Sequence, residues 1–130
     1  MDLEITFPGG KRVDAQVGDL HIPTDQSVDE GGQGSAPDPF TLFLSSIGTC
    51  SGIYALGFCQ ARDISAEGLR ISMSCPWNEK TKRLDNITLT VTLPEGFPEK
   101  YRTAILRAME QCTVKKHISE PPEFILQVAD

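Results

Sequence analysis

Apolar residues alternate with polar ones at Leu3, Ile5 and Phe7, the period-two signature of a half-buried strand. Pro8-Gly9-Gly10 follows, and a second run covers residues 12–17, so the pattern predicts a hairpin closed by a glycine turn. Residues 19–24 read as a third short strand. Residues 25–39 carry glycines, prolines and acids with almost no apolar side chain, a long loop whose length points to a function or a covering partner. The period then changes. Asp38 suits a helix N-cap and Pro39 the first helical position, and no charge appears between Pro39 and Ala61. The centre of that run, Ser45 to Gly52, is too small and polar for a lipid-facing span, and a helix apolar all round belongs in the middle of a core. Residues 68–74 and 84–93 alternate again, predicting a second hairpin around a polar turn at 77–83. Residues 98–111 return to a helical period, with Pro98 at the first helical position. A last short helix is expected over 114–118, stopped by Pro121-Pro122, and a final strand over 124–128. Strands, a long helix, strands, a helix and a strand make an α+β domain.

The 130 residues fit one domain, residues 1–130. A net charge of −6 and a pI near 4.8 argue against nucleic acid and anionic membrane as partners. The N-terminus has neither a basic nor an apolar leader region, so a cytoplasmic protein is expected, and its four cysteines need another reason than a secreted disulfide framework. There is no Cys-x-x-Cys and there are only two histidines, His21 and His117, so neither a structural zinc site nor another cofactor is expected.

Helical geometry limits how the cysteines can combine. Cys50 and Cys59 are nine positions apart, on opposite helix faces and roughly 13 Å apart along the axis at 1.5 Å per residue. A disulfide needs Cα atoms within about 7 Å, so an intrachain partner for Cys50 is Cys75 or Cys112. The neighbours of Cys50 are Phe43, Ser46, Ile47, Ile53, Tyr54 and Gly57, an apolar setting that disfavours a thiolate unless a cation is brought in. Arg12, Lys11, Arg62 and the Lys115/Lys116 pair are the candidates. On these residues alone, a buried inert cysteine stands beside a reactive one. Cys112 reads as lying on the apolar face of the second helix, with Tyr101, Ile105 and Met109.

Two segments together resemble a known family. The run from Ala36-Pro37-Asp38-Pro39-Phe40 to Ile47-Gly48-Thr49-Cys50 resembles the proline-anchored helix of the OsmC/Ohr family, which carries its peroxidatic cysteine mid-helix. Gln111-Cys112-Thr113-Val114-Lys115-Lys116 resembles that family's second cysteine motif. The similarity implies an OsmC-like fold with antiparallel sheets wrapped around long central helices in an intertwined homodimer. It implies a thiol-dependent peroxidase acting on organic hydroperoxides, with Cys50 oxidised to a sulfenic acid, Cys112 resolving it, and a dithiol as reductant. Arg12 would stabilise the Cys50 thiolate, and Phe40, Phe43 and Tyr54 would line the substrate pocket. The sequence departs from the family where Phe40 and Thr41 stand in place of its arginine-holding glutamate, and where Thr113 follows the second cysteine instead of proline. Those departures keep a second reading open, a non-catalytic OsmC-like binding module or redox sensor with an apolar interface pocket.

Overall fold

The computed structural model describes all of residues 1–130, which divide into two compact units, Met1–Ser45 and Ser46–Asp130. The first holds an antiparallel sheet of β1 (Glu4–Gly9), β2 (Arg12–Val17) and β3 (Leu20–Ile22), in that order. Its register pairs Ile5 with Ala15 and Ala15 with Ile22, so the apolar residues share one face. Arg12, Asp14 and Gln16 lie on the other, because side chains alternate along a strand. All three strands fall where the alternation places them, with a bulge between Thr6 and Gly9.

The glycine-rich segment after β3 is folded around one carboxylate. Asp25 is 1% exposed; its Oδ1 accepts the Gln26 N–H at 2.8 Å, and its Oδ2 accepts the Ser35 N–H at 3.1 Å and the Ser35 hydroxyl at 2.5 Å. Backbone bonds from Gly32 to Ser27 and from Gly34 to Gln26 close the loop on itself. Gly32 is required by this approach, since a Cβ there would meet the Gln26 carbonyl oxygen at 2.1 Å. The long loop is thus a packed Ω-type element with an internal anchor.

Helix α1 (Pro39–Ala61) has the bounds that its sequence signals give, and the Asp38 carboxylate accepts the Thr41 N–H at 2.8 Å as its N-cap. It is long and apolar enough to span a membrane, yet it serves the core of the second unit. There Ala55, Phe58 and Cys59 pack with Ile105 and Met109, ringed by Leu69, Ile71, Val91, Leu93, Phe97 and Tyr101. The expectation of a helix enclosed all round needs correction. Ile47, Ser51, Ala55, Phe58 and Cys59 are buried on one face, whereas Ile53 is 59% exposed.

Strands β4 (Arg70–Ser74) and β7 (Thr88–Thr92) pair antiparallel, with Ile71 opposite Val91 and Met73 opposite Leu89 turned inward. Gly48 lets β4 lie close, because a Cβ there would come within 2.6 Å of the Met73 sulfur. The expected polar turn contains a small hairpin of its own, β5 (Trp77–Asn78) and β6 (Arg83–Leu84). The Asn78 side chain accepts the N–H groups of Lys80 and Thr81, an Asx turn that tightens it.

The second helical region is shorter and broken. A 3-10 turn at Glu99–Tyr101 leads into α2 (Arg102–Met109), so Pro98 precedes the turn instead of opening the helix. After Cys112 a separate helix, α3 (Thr113–Ser119), begins. The strand expected at 124–128 does not form. Those residues pair with no strand of the chain, and Phe124, Ile125, Leu126 and Val128 are exposed. A strand needs a ladder partner for its backbone groups, and an apolar alternation alone does not supply one.

Candidate functional site

The structure brings Cys50 and Cys112 together in the second unit. Both are free thiols; Cys50, in the middle of α1, is partly accessible, and Cys112 is 0% exposed. Of the two candidates, Cys112 is the one on whose thiol Cys50 acts. Cys59, which helix arithmetic excludes as a partner of Cys50, is buried in the core cluster.

Cys112 does not lie on a helix face as expected. It follows the end of α2 and caps α3, with φ −50° and ψ 119°, and its sulfur accepts the Lys115 N–H at 3.5 Å. Burial pushes its thiol up. The Lys115 N–H, followed by the nearby Cys50, Ser51 and Val114 groups, outweighs it and brings the thiol below its ordinary value. Lys115 therefore acts on this sulfur through its backbone. Ser51, one residue after Cys50, was not singled out by the sequence. Its hydroxyl is buried and has no hydrogen-bond partner, and it is among the groups that lower the Cys112 thiol. A serine beside the cysteine on a helix that buries one face was the available signal.

The remaining candidates have definite places. Arg62 donates to the Phe58 carbonyl at 3.2 Å, and its guanidinium sits 3.6 Å from the centre of the Phe58 ring, which commits it to the core edge. Tyr54, one helical turn after Cys50, has its hydroxyl 3.4 Å from that of Thr113, the residue standing in place of the family's proline. In the first unit, Phe40 and Phe43 stack with ring centres 5.7 Å apart.

Arg12 is held by a carboxylate the sequence reading passed over. Its guanidinium lies 3.3 Å from Asp14 Oδ2, and His21 Nε2 lies 2.9 Å from the same oxygen. The Thr24 N–H donates to Asp14 Oδ1 at 3.3 Å. Burial pushes the Asp14 carboxyl up, but the His21 bond, the Thr24 N–H and the Arg12 charge outweigh it and hold the carboxyl below its usual range. The i, i+2 spacing of Arg12 and Asp14 on one strand face was the legible sign of this pair.

Comparison with known proteins agrees with the paired motifs. The family model described as OsmC-like protein matches residues 32–127, which include both cysteines. A protein from Psychrobacter arcticus 273-4, described as an osmotic stress induced and detoxification response protein, superposes with a TM-score of 0.74 at 21% identity, covering 88% of this chain and 85% of its own. The organic hydroperoxide resistance protein OsmC from Legionella pneumophila superposes with a TM-score of 0.56 at 19% identity, covering 91% and 89%. No curated protein matches. At these identities the superpositions establish the fold, an α+β OsmC-like arrangement of antiparallel sheets and a long central helix. With the family model matched across both cysteine motifs, the chain belongs to the OsmC-like protein family.

Proposed function

We propose that this protein is a thiol-dependent peroxidase that reduces organic hydroperoxides through Cys50 and Cys112. One observation carries the reading: a partly accessible thiol, Cys50, stands near enough to a buried one, Cys112, to act on it, within an OsmC-like family fold. The Cys50 thiolate attacks the terminal peroxide oxygen. The O–O bond breaks, an S–O bond forms, and the alkoxide leaves to become the alcohol once protonated. Cys50 is then a sulfenic acid, oxidised by two electrons. The Cys112 thiolate attacks that sulfur and expels hydroxide, giving the disulfide, and an external dithiol restores both thiols by exchange. No cofactor is needed. Arg12, held by Asp14, is assigned the role of the cation that favours the Cys50 thiolate.

A homodimer belongs to this reading. Apolar side chains stand uncovered on the single chain, among them Ile53 of α1 and Phe7 of β1 at 78% exposure, and surfaces of this kind mark interfaces. Sedimentation should therefore give twice the chain mass of 14.2 kDa. The substrate pocket is assigned to Phe40, Phe43 and Tyr54, whose rings suit an alkyl or aryl hydroperoxide. The exposed Phe40–Phe43 stack also favours the binding-module reading, in which an apolar ligand is held without turnover. Cumene hydroperoxide consumption with a dithiol present separates the two. The peroxidase consumes it and Cys50→Ser does not; a wild type without consumption overturns the enzyme reading.

A further inference from the structure

Strand β2 puts Arg12 and Asp14 on one face of the first sheet, and β3 returns His21 to that face opposite Gln16. The carboxylate between them is 3% exposed, whereas the side chains of Arg12 and His21 are 42% and 53% exposed. One oxygen serves both: Asp14 Oδ2 lies 3.3 Å from the Arg12 guanidinium and 2.9 Å from His21 Nε2. Its other oxygen takes the Thr24 N–H at 3.3 Å, and the Thr24 hydroxyl donates to the Val13 carbonyl, so the carboxylate is fixed in place. A carboxylate only accepts. The neutral imidazole therefore carries its proton on Nε2, and Nδ1 is left to take a second.

We infer that His21 is a positioning residue for Arg12: the two compete for one Asp14 oxygen, so that protonation of the imidazole releases the guanidinium and weakens its support of the Cys50 thiolate. This rests on the peroxidase reading above, in which Arg12 is that support, and adds its regulation by pH. With the imidazole neutral, Arg12 is the one full positive charge on Asp14 Oδ2, in a charge-assisted hydrogen bond. With the imidazole protonated, two cations share that oxygen and repel each other. The imidazole makes the shorter contact, and the guanidinium has its head partly in water, so Arg12 is the group that leaves.

The other charged groups of the sheet stand apart from this contact. Glu4 of β1 shares the face, across Gln16, and is exposed. Lys11 runs along Gly31 of the glycine-rich loop, and Asp19 lies in the exposed turn before β3. Asp14 is the group that joins His21 to Arg12.

The rate of Cys50 alkylation by iodoacetamide, read at that residue by mass spectrometry across the pH range, tests this without turnover. Below about pH 6.5, the ordinary histidine value, the wild-type rate should fall more steeply than loss of one proton allows, because thiolate and arginine support are lost together. His21→Gln keeps a side-chain N–H donor that does not titrate, and its rate should fall with the slope of one proton. At about pH 5.5 it should react about 5-fold faster than wild type or more, the low end of usual couplings between sites. The two curves should meet above about pH 8, where the imidazole is neutral. In an Arg12→Gln background the His21 substitution should change nothing. Identical curves for wild type and His21→Gln overturn the inference, and so does a His21→Gln effect that survives without Arg12. Alkylation consumes no peroxide, so the peroxidase reading fails separately, by cumene hydroperoxide left unspent at every pH.

Discussion

Two side chains with polar heads are buried almost completely, and they are treated in opposite ways. Asp25 in the first unit is saturated: two N–H groups and one hydroxyl feed its carboxylate from its own loop. Ser51 in the second unit has a buried hydroxyl with no hydrogen-bond partner. Native proteins satisfy buried polar groups, and an exception asks for a reason. The contrast separates structure from chemistry. Asp25 holds a loop together; Ser51 directly follows Cys50 on α1 and is among the groups that act on the Cys112 thiol.

The largest expected effect is on turnover. Cys50→Ser should reduce hydroperoxide consumption to background, while Cys112→Ser should leave a sulfenic acid that dimedone labels at Cys50. Asp25→Ala comes next and should act on stability alone. Removing the carboxylate strands the Ser35 and Gln26 donors, so amide exchange in the loop around residues 25–35 should rise sharply while hydroperoxide consumption stays unchanged. Acid should do the same. The Asp25 carboxyl is depressed, first by the Ser35 hydroxyl and then by the Ser35 N–H. A depressed folded value means that this stabilisation is fully present above the unfolded value of 3.8 and is lost as pH falls through the lower folded one. Asp25→Asn should remove that segment of the acid-unfolding curve.

Gly48→Ala should be milder, about 1–3 kcal/mol by denaturant melting, because the Met73 thioether is flexible and can yield part of the clash. Ser51→Ala should be the smallest in stability, within about 1 kcal/mol of wild type, since it deletes a hydroxyl that lacks a conventional partner. If Ser51→Ala unfolds the chain as Asp25→Ala loosens the loop, the contrast between the two centres collapses.

Much of this was written in the chain. The Asp38-Pro39 start and the absence of charge fixed α1, and the alternation of Ile71, Met73, Leu89 and Val91 fixed the central pair of strands. Cys50 and Cys112 were legible through their motifs, and Cys59 was excluded by helix geometry. What escaped has physical causes. The Asp25 anchor depends on contacts across ten residues, which composition cannot show. Its only local sign was an acid opening a glycine-rich loop. Cys112 fits a helical period with Met109, but a cap ends one helix and starts another at that point, and periodicity does not register caps well. Residues 124–128 alternate like a strand, but pairing is not a property of one segment. Asp14 sat in plain view between Val13 and Ala15, and its importance came from His21 and Thr24, which the hairpin brings back to it.

The account stands most directly on one measurement. Reduced protein given one equivalent of cumene hydroperoxide, digested without reduction and read by mass spectrometry should yield a single crosslinked peptide pair joining Cys50 to Cys112. A crosslink to Cys75, or four cysteines left as thiols with the peroxide unspent, would contradict it.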